Sequence, residues 1–232
     1  MATEGGPSIV TDGLVLYLDA ANPRSYPGSG TNWKDIINNN NGTLTNGPTF
    51  ISNIGGAIDF DGVNDYISIT NSTELNPSLI TIQVLVNLQN LTSGTYPSIV
   101  TKSPTLGSSQ YGLWFWRGGL SSSGCSLRVN NGSTSYTVNS NVDGYSTLQQ
   151  WLLITATFDG RYLKIYYNGE LKNTEDIGST TTITSTSNPL LIATDGESRN
   201  FDGYVASTAI YNKALSTDEV LQNYNAVKQR FK

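Results

Sequence analysis

The sequence predicts an all-β protein, an antiparallel jelly roll of two packed sheets with one short C-terminal helix. Three observations carry that expectation. Short runs along the chain alternate apolar with polar residues at a period of two, as half-buried strands do. Asn131-Gly132, Asp159-Gly160 and Asn168-Gly169 lie between or directly after such runs, and these dipeptides supply the positive φ that tight hairpin turns demand. Strand and helix patterns do not alternate, which leaves a two-layer sandwich of antiparallel strands.

Residues 1–11, with Gly5-Gly6-Pro7, read as a flexible arm that orders on a partner or a neighbouring subunit, the alternative being a frayed terminus. Residues 12–232 contain no linker and read as one domain. Leu14 to Leu18 is an almost unbroken apolar run, expected as a strand covered on both sides. Asn22 to Gly47 is rich in Pro, Gly, Ser and Asn and is expected as a long ordered loop, with Asn38 to Asn41 a polar turn within it. Ala57–Phe60 and Tyr66–Ile69 read as short strands around the turn Asp61-Gly62-Val63-Asn64.

Ile80, Ile82, Val84, Val86 and Leu88 alternate with Thr81, Gln83, Leu85 and Asn87, the clearest half-buried strand, with the even positions facing inward. Cys125–Val129, Tyr136–Val138, Trp151–Phe158, Tyr162–Tyr167, Leu190–Ala193 and Gly203–Ile210 complete the strands. Ser216 and Glu219 have capping-box spacing, and Val220, Tyr224, Val227 and Phe231 recur at helical spacing behind them.

Composition narrows the chemistry. The 232 residues carry 18 acidic and 13 basic side chains, a net charge of −5, and no basic cluster, so a nucleic-acid partner is not expected. No run reaches membrane-spanning length, and the N-terminus has neither the basic nor the apolar region of a signal peptide; synthesis in a cytoplasm is expected. The single cysteine, Cys125, alternates with Leu127 and Val129 as a buried thiol. Histidine is absent, which excludes Ser-His and Cys-His nucleophiles and histidine-ligated zinc. No run of alternating acids suits a glycosidase, and Asp59 and Asp61 lack a third acid along the strand. No catalytic residue is assigned.

Two kinds of binding site remain. In Tyr111-Gly-Leu-Trp-Phe-Trp-Arg117, Trp114 and Trp116 share one face of a strand while Tyr111, Leu113 and Phe115 share the other. With Phe115 in the core, both tryptophans and Arg117 are displayed, for sugar stacking or for a subunit interface, the alternative being that the tryptophans pack in the core. Asp61, Asn64 and Asp65 form one acidic loop cluster and Asp195, Glu197 and Asp202 another. Calcium is the one cofactor these oxygens admit, the alternative being turn capping by Asp and Asn.

Asp12-Gly-Leu-Val-Leu-Tyr-Leu-Asp-Ala20, Ile58-Asp-Phe-Asp-Gly-Val-Asn-Asp-Tyr-Ile67, Trp151 to Gly169 and Phe201 to Tyr224 together resemble the landmarks of laminin-G-like, concanavalin A-like jelly-roll domains across residues 12–228. The opening run through Tyr26-Pro-Gly-Ser-Gly30 further resembles lone-domain versions among structural proteins of tailed bacteriophages. That resemblance implies a non-enzymatic virion surface protein, such as a head decoration, head fibre or tail accessory subunit, whose partners are other virion proteins or further copies of itself. The family also contains lectins and glycoside hydrolases, so a soluble carbohydrate-binding module acting on surface glycans through Trp114, Trp116 and Arg117 is the alternative reading. A hydrolase comes third, for want of its acids.

Overall fold

A computed structural model describes residues 8–91, 96–102, 109–117, 123–140 and 148–230, with Arg117 described by its backbone alone. Among these residues every strand pairing is antiparallel, and the strands form two eight-stranded sheets. The first sheet contains β1 (Leu14–Asp19), β4 (Thr49–Ile51), β5 (Ala57–Asp61), β7 (Ile80–Leu88), β12 (Trp151–Phe158), β13 (Tyr162–Tyr167), β14 (Glu170–Asp176) and β16 (Asp202–Tyr211). The second contains β2 (Asn32–Trp33), β3 (Gly42–Thr45), β6 (Tyr66–Ile69), β8 (Ser98–Lys102), β9 (Tyr111–Arg117), β10 (Ser123–Asn130), β11 (Ser135–Asn139) and β15 (Leu190–Ile192). The helix α1 (Thr217–Val227) follows. A two-sheet antiparallel jelly roll with one short helix is the architecture the sequence predicts.

The core lies between the sheets, where Leu16, Ile58, Phe60, Val84, Phe115 and Ile154 meet. Ile80, Ile82, Val84 and Val86 face it, as their parity requires. The other face of β7 is not solvated, however, since α1 and the segment before it cover that side. Thr81 Oγ1 donates to the Lys213 carbonyl and accepts from Leu215 N, both at 2.8 Å. Gln83 Oε1 accepts from Asn223 Nδ2 at 3.0 Å, and Leu85 packs with Val227. Polar residues at alternate positions therefore mark a second, hydrogen-bonded layer where the pattern predicts water. Leu14–Leu18 is buried on both sides, as its unbroken apolar run predicts.

The expected loop from Asn22 to Gly47 carries two strands, β2 and β3, which extend the second sheet. Their brevity and glycine content hide them from a periodicity reading. Within this stretch Asp35 accepts from the backbone N–H groups of Tyr17, Ile37, Asn38 and Asn40, and the Asn38 and Asn40 amides donate to the Val15 carbonyl. The asparagine patch thus supplies β1 with hydrogen bonds along an edge where it has no strand partner. β5 and β6 flank the turn at Asp61 but belong to different sheets, so that turn crosses the sandwich.

Of the three hairpin dipeptides, only Asn168-Gly169 forms a two-residue turn, with φ of 51° and 83° between the paired Tyr167 and Glu170. The other two open longer loops, four residues after Asn130 and three after Phe158, in which Asn131 and Asp159 accept backbone N–H bonds two and three residues on. Ser216 and Glu219 form the predicted capping box. The helix buries Val220 and Val227 but also Asn223, a polar residue the apolar stripe omits; Phe231 lies outside the described residues. The expected flexible arm spans residues 1–11. Residues 1–7 lie outside the described residues, yet Val10 is buried, with its N–H donating to Asn223 Oδ1 at 2.7 Å and its carbonyl accepting from Tyr211 OH at 3.1 Å.

Candidate functional site

The outer face of β9, β10 and β11 carries an open cleft of about 370 Å³. Alternation builds it. Tyr111, Leu113 and Phe115 on β9, and Cys125, Leu127 and Val129 on β10, point into the core, which turns Trp114, Trp116, Ser126 and Arg128 outward. Register then aligns them in rows: Trp114 lies opposite Ser126 and Ser126 opposite Asn139, while Arg128 lies between Gly112 and Thr137. Gly112 contributes no side chain there; a Cβ at that position would lie 3.6 Å from the Trp114 ring. Tyr96 and Arg199 close the cleft from neighbouring loops.

The two tryptophans have different positions. Trp114 is 4% exposed because the Arg128 guanidinium lies over its ring, 5.1 Å from the centroid, a cation–π arrangement. The expectation that both indoles are displayed therefore fails for Trp114, which serves as the support of an arginine. Trp116 is half-buried on the cleft wall, and its Nε1 has no hydrogen-bond partner among the described residues. The Arg117 side chain lies outside the described residues, so that part of the expected trio is not placed. Tyr96 is 42% exposed and supplies the cleft's most accessible aromatic surface.

Arg199 is fixed by its own loop. Its Nη1 donates to Asp195 Oδ2 at 2.7 Å, its backbone N–H donates to Asp195 Oδ1, and its carbonyl accepts from Ser98 N on β8. Burial alone would raise the Asp195 carboxyl; the Arg199 guanidinium and the backbone donors outweigh it and hold that group below the usual carboxylate value. Burial, reinforced by the nearby Arg199 charge, lowers the Arg128 guanidinium from its ordinary value. Arg128 Nε also donates to Thr137 Oγ1 at 3.4 Å. These arginines, Tyr96 and Asn139 were not singled out in the sequence. Arg128 was legible as the outward neighbour of Leu127; Tyr96 and Arg199 reach the cleft only through the fold.

The acidic positions assort differently from the sequence clusters. Asp202 stands in register opposite Asp61, next to Asp59 and Asp65, whereas Asp195 and Glu197 belong with Arg199. Asp61 Oδ1 accepts from Val63 N and Asn64 N, and Asp65 Oδ2 accepts from Asp61 N, so these oxygens brace the turn. Both Asp195 oxygens are likewise engaged. No three Asp, Glu, His or Cys side chains converge as a metal site among the described residues. Cys125 is buried, and burial pushes its thiol well above the ordinary value, which removes thiolate chemistry.

Residues 61–221 match the Laminin_G_3 family model, described as the concanavalin A-like lectin/glucanases superfamily. The chain belongs to this family. As a Laminin_G_3 domain it is also similar in structure to the binding domain of Paraclostridial Mosquitocidal Protein 1, with a TM-score of 0.73 and 17% identity over 92% of this chain and 52% of that one. Domain 4 of AbnA, a GH43 extracellular arabinanase from Geobacillus stearothermophilus solved in complex with arabinotriose, gives a TM-score of 0.69 and 15% identity over 95% of this chain and 100% of that one. The binding domain of botulinum neurotoxin serotype D gives 0.68 and 15% over 92% and 51%. The chain thus spans about half the length of the toxin domains and all of the arabinanase domain. At these identities the likeness is one of fold. Comparison with curated proteins gives no match.

Proposed function

We propose that this Laminin_G_3 domain is a non-catalytic carbohydrate-binding module whose site is the cleft on the outer face of β9, β10 and β11. One observation carries the reading: the aromatic surfaces of Tyr96 and Trp116 meet an Arg128 braced on Trp114, beside the short polar side chains of Ser126, Thr137 and Asn139, in a single open cleft. Aromatic faces suit the apolar face of a sugar ring, and guanidinium, hydroxyl and amide groups suit its hydroxyls. Similarity in fold to toxin binding domains and to an arabinanase domain solved with arabinotriose supports a binding role over a catalytic one. Glycan-array binding followed by calorimetry tests it. Trp116→Ala should lower affinity about ten-fold or more at an unchanged melting temperature, and wild-type protein that binds no glycan at high micromolar concentration would overturn the assignment.

A second reading sets the domain on the surface of a bacteriophage particle, beside other virion proteins or further copies of itself. Its support is the resemblance of residues 12–30 to lone-domain phage structural proteins. The two readings are compatible, since a displayed module can bind host-surface glycans. Stoichiometric recovery of the protein in purified particles tests the location, and its absence from them would refute it.

A further inference from the structure

We infer that the ligand is an extended glycan chain, held along its length by this cleft and by a second one on β6 and β15, on the same face of the same sheet. This inference rests on the carbohydrate-binding reading of the first cleft and narrows its ligand to chains of several sugars.

The second cleft, of about 390 Å³, is built by the same alternation as the first. Ile67 and Ile69 on β6 and Leu190 and Ile192 on β15 point into the core, which turns Tyr66, Ser68 and Leu191 outward as the floor of the cleft. Asparagines set its rim. Asn46 Nδ2 donates to the Asn64 carbonyl at 2.8 Å and Asn200 Nδ2 to the Val63 carbonyl, so the turn between β5 and β6 is pinned from both sides. Thr194 Oγ1 donates to Asn200 Oδ1 at 2.8 Å and orients that amide in turn. Val63, 68% exposed, adds apolar surface to the rim. The tyrosine ring and the aliphatic side chains suit the apolar face of a sugar, and amides and hydroxyls, which both donate and accept, suit its hydroxyl groups. A rim already tied down loses little freedom on binding.

One loop joins the two clefts. Between β15 and β16, Arg199 lines the first, while Thr194, Glu197 and Asn200 line the second. Arg199 holds this shared wall in place, since its guanidinium pairs with Asp195 and lies 3.8 Å from Glu197, and its carbonyl accepts from Ser98 N on β8. Within the sheet, β9, β8 and β15 stand between β10 and β6, which makes four inter-strand steps of about 4.8 Å, or about 19 Å across the strands. A single sugar ring reaches one cleft only. A chain laid across the strands reaches both, and its second contact is made at the high effective concentration that the first imposes.

The test is calorimetry with length series of cello-, xylo-, manno- and arabino-oligosaccharides, each from disaccharide to octasaccharide. In a series that binds, the octasaccharide should bind about ten-fold or more tightly than the disaccharide, with one chain per protein. Tyr66→Ala should bring the octasaccharide down to the affinity of the disaccharide. Should that variant fail to fold, Val63→Asp, at an exposed position on the same rim, should remove the gain in its place. Equal affinity at every length in a series that binds would overturn this inference but leave the glycan reading intact, as would a length gain that neither substitution diminishes. Two octasaccharides bound per protein would give each cleft its own chain and overturn it as well. Binding to no member of any series would overturn both readings.

Discussion

Asp195 and Asp59 carry carboxyl groups that ought to respond to acid with opposite signs. Asp195 is held below the usual value, so the stability it contributes is present above the unfolded carboxylate pKa and is lost as pH falls through its folded pKa. Asp59 is raised, first by burial and then by Asp202, Asp65 and Asp61, so its contribution is greatest below the unfolded pKa and is lost as pH rises through its folded value. Asp195→Asn should therefore destabilise the protein at pH 7, by about 2 kcal/mol given that Arg199 is partly exposed. Asp59→Asn should instead raise the melting temperature there. Both differences should shrink towards acid, below about pH 4. Thermal melts of the two variants at pH 7 and pH 3 check the signs. The roles of these acids were beyond the sequence: Asp59 and Asp202 lie 143 positions apart along the chain, and only the pairing of β5 with β16 brings them together.

The helix and the segment before β1 form one packing unit. Asn223 links them, with its Oδ1 accepting from Val10 N and its Nδ2 donating to Gln83 Oε1 and to Tyr211 OH. A chain shortened to begin at Asp12 loses the buried Val10 side chain and leaves Asn223 Oδ1 without its donor. The expected cost is about 2–4 kcal/mol, read as a lower midpoint in urea; an unchanged midpoint would show that the segment does not contribute. Capping and strand alternation were legible here because both depend on neighbours in sequence. Asn223 was not, since its polar side chain breaks the helical stripe and is accounted for only by partners from three other segments. The hairpin loops show the same division. Asn168-Gly169 closes a two-residue turn as its dipeptide implies, while the lengths of the other two loops follow from the register of the strands they join.

For the molecule as a whole, the layer architecture was readable because inward parity recurs on strands of both sheets. Which strands share a sheet was not. β5 and β6 follow one another yet lie in opposite layers, and β2 and β3 are too short to announce themselves. One continuous core spans both sheets, so calorimetric unfolding should follow a single transition with equal van't Hoff and measured enthalpies. Two resolved transitions would divide the described residues into separate units. In the cleft, strand alternation exposed the tryptophan phase, but the arginine lying over Trp114 required knowledge of which strand lies alongside.

The position of β16 has a consequence for biosynthesis. Its one edge pairs with β7 while its other edge is divided between β5 and β1, with Leu14 opposite Tyr211. A ribosome delivers β1 first and β16 almost 200 residues later, so for most of translation the first sheet lacks the strand that joins its parts. Throughout that interval the apolar segment Leu14–Leu18, with both faces meant for burial, has no partner strand. Contacts of such long sequence separation close slowly. A nascent chain arrested just before Asp202 should accordingly be protease-sensitive and bound by chaperones, and become resistant only once Tyr211 has cleared the exit tunnel.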